Sequence, residues 1–339
     1  MDDPTHAIIG AAISYAVAGH RLGRRAALIG AVAGVFPDVD WFIRSKEDPL
    51  LYVQYHRYFT HAFLFSIVGA FLSVLPWIAW PKNRSQWKIY WLAALPAYLS
   101  HSLIDASTTY GTCIFWPFSD LRAGWDLISI VDPIFTIGAL VFLVIALKRQ
   151  RRALAVGAIL FACVYMALGG IQRARAAQVQ HTLAQQRGHV LERAEVMPTL
   201  ANNLVWRSLY LTGGRVYSDR IRVGVGAAFK PGTSLPLVTT NDLTVLEQQG
   251  NRNRSFERFA WFSDGWIARA PSEPTILGDM RYSKSTEAFD PIWGIQYTET
   301  NGQAQLHWVD RTRQRKIDAR ELWDEIMGRH PGYLPVPTR

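Results

Sequence analysis

Apolar residues crowd into the first half of this chain as long runs and thin out beyond it. Runs over about 59–80, 88–107, 127–147 and 153–171 approach the roughly 20 residues that a helix needs to cross a bilayer. Each predicts a membrane span, and Pro76 and Pro96 predict kinks within two of them. Upstream, residues 7–20 (AIIGAAISYAVAGH) and 26–36 (AALIGAVAGVF) are shorter and rich in Gly and Ala, which predicts a tightly packed helical hairpin. These about six hydrophobic segments predict a mainly α membrane helix bundle over residues 1–171.

The texture then changes. Residues 172–195 are rich in Ala, Gln and Arg and predict a stalk helix over 172–196 whose polar face is too wide for burial. From Met197 come short runs rich in Val, Tyr, Trp and Phe, at Asn203–Leu211, Arg220–Phe229, Arg258–Ala268 and Trp293–Glu299, separated by Gly, Pro and Asn. A small β-rich, α+β soluble domain over 197–339 follows from that pattern. Near its end, Asp318 followed by Glu321 predicts an N-capped helix over Asp318–Gly328.

Composition sharpens this picture. The 339 residues are 49% hydrophobic and 19% charged, too apolar for disorder. Only Cys113 and Cys163 are present, which excludes a disulfide scaffold and a Cys-rich zinc motif. The net charge of +9 does not form a basic surface with interleaved aromatics, so nucleic acid is not an expected partner. The start, Met-Asp-Asp-Pro-Thr-His, is acidic where the first region of a cleavable signal would be basic.

The basic residues instead set orientation. Ten of the fourteen Lys and Arg in residues 1–171 lie in three connections, Arg21–Arg25, Lys82–Lys88 and Lys148–Arg152. If these are cytoplasmic, alternation places the 37–58 and 108–126 loops, and everything after 172, on the outer face. Ten acidic residues of the first half then lie on or near that face. The tryptophans at 77, 80, 87 and 91 read as an interfacial belt.

Four His/Asp clusters share the same side: Asp3-Pro4-Thr5-His6, Pro37-Asp38-Val39-Asp40, His56 through His61, and His101 through Asp105. His101 and Asp105 stand at i and i+4, on one helix face, as when two ligands of one ion come from one helix. His56 and His61 can converge if His56 precedes a helix and His61 lies in its first turn. Asp38 and Asp40 would point the same way in an extended segment. His6, Asp38, Asp40, His56, His61, His101 and Asp105 are thus candidate ligands of a divalent metal. A mixed imidazole and carboxylate set suits Zn²⁺, with Mn²⁺ or Fe²⁺ possible, in one or two ions. Arg57 is placed to pair with a substrate phosphate or to anchor a headgroup. His20 lies at the basic end, and His181, His189, His307 and His330 read as surface positions. Asp132-Pro133 reads as a helix start.

Thr5-His6, Phe36-Pro37-Asp38-Val39-Asp40, His56-Arg57-Tyr58-Phe59-Thr60-His61 and Tyr98-Leu99-Ser100-His101-Ser102-Leu103-Ile104-Asp105, followed by Tyr110-Gly111 and Trp116-Pro117, carry a resemblance. Over about the first 170 residues the chain resembles the bacterial inner-membrane, metal-dependent hydrolase family of the YdjM type, itself distantly similar to zinc-dependent phospholipase C. Ala62 stands where that family often has Ser, and the tail from 197 lies outside its pattern. The resemblance implies the same seven metal-site positions. The expectation is a membrane-embedded hydrolase of phosphodiesters, phospholipase C-like, acting on a lipid or lipid-linked substrate at the outer leaflet of the inner membrane. Asp38 or Asp40 would handle the attacking water, and Arg57 the phosphate. The alternative is a non-enzymatic envelope assembly or binding protein with a structural metal.

Overall fold

The computed structural model describes residues 1–251, 254–314 and 318–336. They divide into two compact units, one of Met1–Ile43 with Tyr55–Gly170, the other of Arg44–Gln54 with Ile171–Arg339.

The first unit is helical. α1 (Asp3–Leu22) begins where the Asp2 carboxylate accepts the Thr5 backbone N–H, and it ends at Gly23. α2 (Arg25–Val35) returns against it so closely that a Cβ on Gly10 would lie 2.3 Å from the Gly30 carbonyl oxygen. This is the small-residue hairpin that the Gly/Ala pattern predicts. A 3-10 turn, Phe36–Phe42, leads out of α2. A short turn at Phe59–His61 precedes α4 (Phe63–Ile78), α3 (Leu51–Tyr55) having come before it. α5 (Trp87–Ala106) packs on α1, α2 and α4, and its Tyr90, Ala93, Ala94, Ala97 and Tyr98 enter a core with Ala12, Tyr15, Ile29 and Val74. α6 (Pro133–Arg149) is capped by Asp132, which accepts from the Ile134 and Phe135 N–H groups, as a helix-start reading of Asp132-Pro133 requires.

The helix ends alternate. His6 starts α1, Asp38 and Asp40 follow α2, and His101 and Asp105 close α5. At the other end, Arg24 donates to the Leu147 carbonyl and Arg152 to the Ala16 carbonyl, so two of the three basic connections meet away from the acidic clusters.

About six spans are not found. Among the described residues one helix is long and apolar enough to cross a membrane, α7 (Arg152–Gln186). A second is reached if Leu51–His61 and Phe63–Ile78, bent by 85°, count as one broken span. The reasons are physical. α2 has 11 residues and is about 16 Å long, and α6 with 17 reaches about 26 Å, both short of the hydrocarbon thickness. α1 and α5 are longer, but they carry Thr5, His6 and Ser14, and His101, Ser102 and Asp105, all buried inside the unit. Apolar side chains nevertheless face outward on α7 at Val156, Leu160, Val164 and Leu168, four residues apart, a stripe that suits hydrocarbon better than water.

The second unit is β-rich. β1 (Arg193–Pro198), β2 (Val205–Thr212), β3 (Arg215–Val223), β4 (Ala227–Pro236) and β9 (Leu334–Pro335) form one antiparallel sheet in the order β1-β2-β3-β4-β9. β5 (Ile267–Ala270), β6 (Glu273–Asp279), β7 (Trp293–Thr300) and β8 (Gln303–Asp310) form an antiparallel meander. Two expectations change here. The run Arg258–Ala268 is not one strand: it begins within α9 (Ser255–Phe262), following α8 (Val245–Gly250), because Phe256, Phe259 and Phe262 repeat with helical spacing and are all buried. Nor is the polar face over 172–196 too wide for burial, since Ala176, Val179 and Leu183, spaced three and four apart, pack on Trp206, Ile221 and Val223 of the first sheet. The same helix buries Gln172 and Gln180, whose amides donate to the Val223 and Leu209 carbonyls. α10 (Ala319–Met327) forms as predicted, capped by Asp318.

Candidate metal centre

Four of the predicted residues present one ligand atom each within 4.8 Å of one another: Asp38, His61, His101 and Asp105. His61 Nε2 lies 3.4 Å from Asp38 Oδ1 and 3.4 Å from Asp105 Oδ2. His101 Nε2 lies 3.6 Å from Asp38 Oδ1 and 3.4 Å from Asp105 Oδ2, and 2.9 Å from His61 Nε2. A tetrahedral ion with bonds of about 2.0–2.1 Å separates its ligand atoms by about 3.3–3.4 Å. The donor set therefore has the chemistry and close to the spacing of a Zn-type site.

Hydrogen bonds around the imidazoles assign their tautomers. His101 Nδ1 donates to the Gly34 carbonyl at 2.6 Å, which leaves the lone pair on Nε2. His61 Nδ1 faces Thr60 Oγ1 at 3.0 Å, and that hydroxyl donates in turn to Asp40 Oδ2 at 2.8 Å. Both Nε2 atoms then offer lone pairs to the same point. The i, i+4 spacing of His101 and Asp105 on α5 works as the sequence predicts.

Asp38, Asp40 and His56 form a second group of potential ligand atoms, also within 4.8 Å of one another. Asp38 belongs to both groups, as a bridging carboxylate of a two-ion centre would. The extended-segment expectation for Asp38 and Asp40 does not hold. Their segment is a 3-10 turn, yet the two carboxylates still come within 4.8 Å of each other: Asp38 lies toward His61 and His101, while Asp40 pairs with His56 and also lies 3.3 Å from His61 Nδ1. Nor does His61 lie in the first turn of α4: it ends the short turn before that helix.

His6 stands one layer back. Its Nε2 lies 3.0 Å from Asp105 Oδ1 and its ring stacks on His101 with centroids 3.7 Å apart, so it orients a candidate ligand and lies outside both groups. Asp105 Oδ1 also accepts from the nitrogen of Met1 at 2.5 Å. Arg57 is buried, with Nε 2.9 Å from Asp105 Oδ2 and Nη1 2.9 Å from Thr108 Oγ1. Its backbone is left-handed (φ 63°), a costly conformation for a non-glycine residue, held by its N–H on Asp40 Oδ2 at 3.0 Å.

Several contributors escaped the sequence reading. Thr60 lay within a quoted motif but without an assigned role, and it joins Asp40 to His61. Tyr98 donates to the Thr60 carbonyl at 2.7 Å, and the Gly34 carbonyl is a backbone group with no side-chain signature at all. His20 forms no part of the centre, and His181 and His307 are exposed as expected. His189 and His330 are half-buried, against Tyr210 and beside Glu321 respectively. Glu321, Glu325 and His330 make a further group of potential ligands, in which Glu325 is already paired with Arg220 at 2.7 Å.

His6 through Asp105 all lie in the stretch that matches known proteins. Residues 1–176 match the family described as YdjM inner membrane protein. Inner membrane protein YbcI of Escherichia coli (strain K12) is 32% identical over 132 residues, covering 37% of this chain and 74% of that protein. No solved structure matches. The chain belongs to the YdjM inner membrane protein family, and the inner membrane is its location.

Proposed function

We propose that this protein is a membrane-embedded, metal-dependent hydrolase that cleaves a phosphodiester of a lipid or lipid-linked substrate, phospholipase C-like, at the outer leaflet, with its C-terminal domain extracytoplasmic. The observation that carries the reading is the near-tetrahedral spacing of buried donor atoms from Asp38, His61, His101 and Asp105 beside a buried arginine. Zn²⁺, or Mn²⁺ or Fe²⁺, held there would polarise a phosphoryl oxygen and lower the pKa of water.

The protein's own groups supply the rest. Asp38 is the partly exposed member of the first group and would hold or deprotonate the attacking water, while Asp40, turned toward His56 and Thr60, would fix that side of the centre. Arg57, held by Asp105 and Thr108, brings its positive charge to the edge of the centre and is suited to steady the phosphate. Purified protein supplied with Zn²⁺ should hydrolyse a generic phosphodiester, and Asp38→Asn and Arg57→Ala should each reduce the rate by about 10² or more. Absence of hydrolysis with Zn²⁺, Mn²⁺ and Fe²⁺ alike would reject the enzymatic reading. Comparing membrane lipids of cells with wild-type protein and with Asp105→Asn should then reveal the accumulated substrate.

One observation favours a second reading, an envelope assembly or binding protein with a structural ion. Four protein donors with His61, His101 and Asp105 fully buried resemble a closed coordination sphere. A structural ion resists exchange, and its removal by EDTA unfolds the protein; a catalytic one exchanges and supports ester cleavage.

A further inference from the structure

We propose that the open groove along α2 and the turn that follows it seats a hydrocarbon chain of the substrate, so that the centre takes amphiphiles whose phosphoester lies next to a long apolar tail. This rests on the hydrolase reading and names how its substrate is recognised.

The groove encloses about 710 Å³, within the range of small-molecule sites, and lies entirely in the first unit. Its walls are apolar: Val32, Val35, Phe36, Val39, Trp41 and Phe42. Phe42 is 85% exposed, and Trp41, whose ring meets His56 edge-on at 5.7 Å, is 47% exposed, so both present apolar surface to the groove. A plain lipid-facing surface would be apolar throughout. This one ends on two carboxylates, Asp3 and Asp38, and ionisable groups are expensive on a surface that meets only hydrocarbon.

Asp38 links groove and centre. Its side chain is 11% exposed, whereas those of His61, His101 and Asp105 are at most 1% exposed. The centre therefore opens past Asp38, and Asp38 lines the groove. A substrate reaching the donor atoms by that route lays whatever follows its phosphoester along Val32, Val39 and Phe42. Hydrocarbon gains there and a hydrated group loses. The occupant is consequently one acyl or prenyl chain.

Titration of the zinc-loaded protein in nanodiscs with methylphosphonate and octylphosphonate tests this without requiring turnover. The wild type should bind octylphosphonate at least tenfold more tightly than methylphosphonate. Val32→Trp, which fills the groove, and Phe42→Ser, which removes a wall, should bring that ratio close to one while zinc content stays unchanged. Equal affinities in the wild type, or a ratio that both variants leave intact, overturns the groove assignment alone. If neither phosphonate binds the zinc-loaded protein, the hydrolase reading fails and the chain seat fails with it.

Discussion

His61 and His101 point their Nε2 atoms at one another across 2.9 Å, although the partners of both Nδ1 atoms leave a lone pair on each. Two lone pairs at that distance repel unless a proton or a cation stands between them, and the carboxylates of Asp38 and Asp105 would complete the donor set of the proposed cation. The arrangement depends on Thr60, which accepts from His61 Nδ1 while donating to Asp40. Thr60→Val keeps the shape and removes both hydrogen bonds. Metal affinity, read by titration with a competing chelator, should fall about 10–100-fold with the fold intact by circular dichroism.

Gly34 should tolerate no side chain. A Cβ there would lie 2.5 Å from the His6 carbonyl oxygen, and the Gly34 carbonyl is the acceptor that orients His101. Gly34→Ala should separate α1 from α2 at a cost of about 1–3 kcal/mol and loosen the centre together with the hairpin. Thermal unfolding in detergent should show the lower transition, and metal content should fall in the same variant.

Arg258 of α9 forks onto Asp48, with Nη2 2.8 Å from Oδ2 and Nη1 3.2 Å from Oδ1, while its Nε donates to Gln54 at 2.8 Å. All three residues belong to the second unit. Because the pair is partly exposed, Arg258→Ala should cost only about 1 kcal/mol. Limited proteolysis should nonetheless cut faster within residues 44–54. Arg258→Ala and Asp48→Asn combined should be no worse than Arg258→Ala alone, since that change already removes the ion pair together with the bond to Gln54.

Glu247 gives the second unit an acid sensitivity. Burial opposes its ionisation, but Arg269, which holds both carboxylate oxygens, and the Thr244 cap hold its pKa below the ordinary 4.5. A carboxyl with a depressed folded-state pKa contributes stability above its unfolded pKa and loses it as pH falls through the folded one. Chemical unfolding should therefore show stability dropping as pH falls below about 4.5. Glu247→Gln should be less stable at neutral pH and flatter in that window.

The sequence revealed most of the centre and less of the frame. His101 and Asp105 could be paired because a helix fixes i and i+4 on one face, and the His56–His61 and Asp38–Asp40 clusters could be grouped by the side on which alternating segments place them. What spacing could not supply was the local conformation. Asp38 and Asp40 take different nearest imidazoles, His61 with His101 and His56 respectively, on a segment, Phe36–Phe42, that winds as a 3-10 turn, which Pro37 permits as readily as an extended exit. His6 sits behind Asp105 because α1 packs on α5, a tertiary fact. Hydrophobic length also overstated the spans: small and polar residues in α1, α2 and α5 are apolar enough on average to suggest crossing, yet they are spent on close helix contact and on the centre. In the tail, the Phe256, Phe259 and Phe262 spacing was masked by the Trp and Phe content that strands share.

Metal analysis of the purified protein by mass spectrometry, beside a His101→Ala, Asp105→Ala double variant of confirmed fold, probes the centre most directly. Between one and two transition-metal ions per wild-type chain, and loss of ion from the variant, is the predicted result. A wild-type chain that retains no ion after reconstitution with Zn²⁺, Mn²⁺ or Fe²⁺, or a variant with undiminished metal, would contradict it.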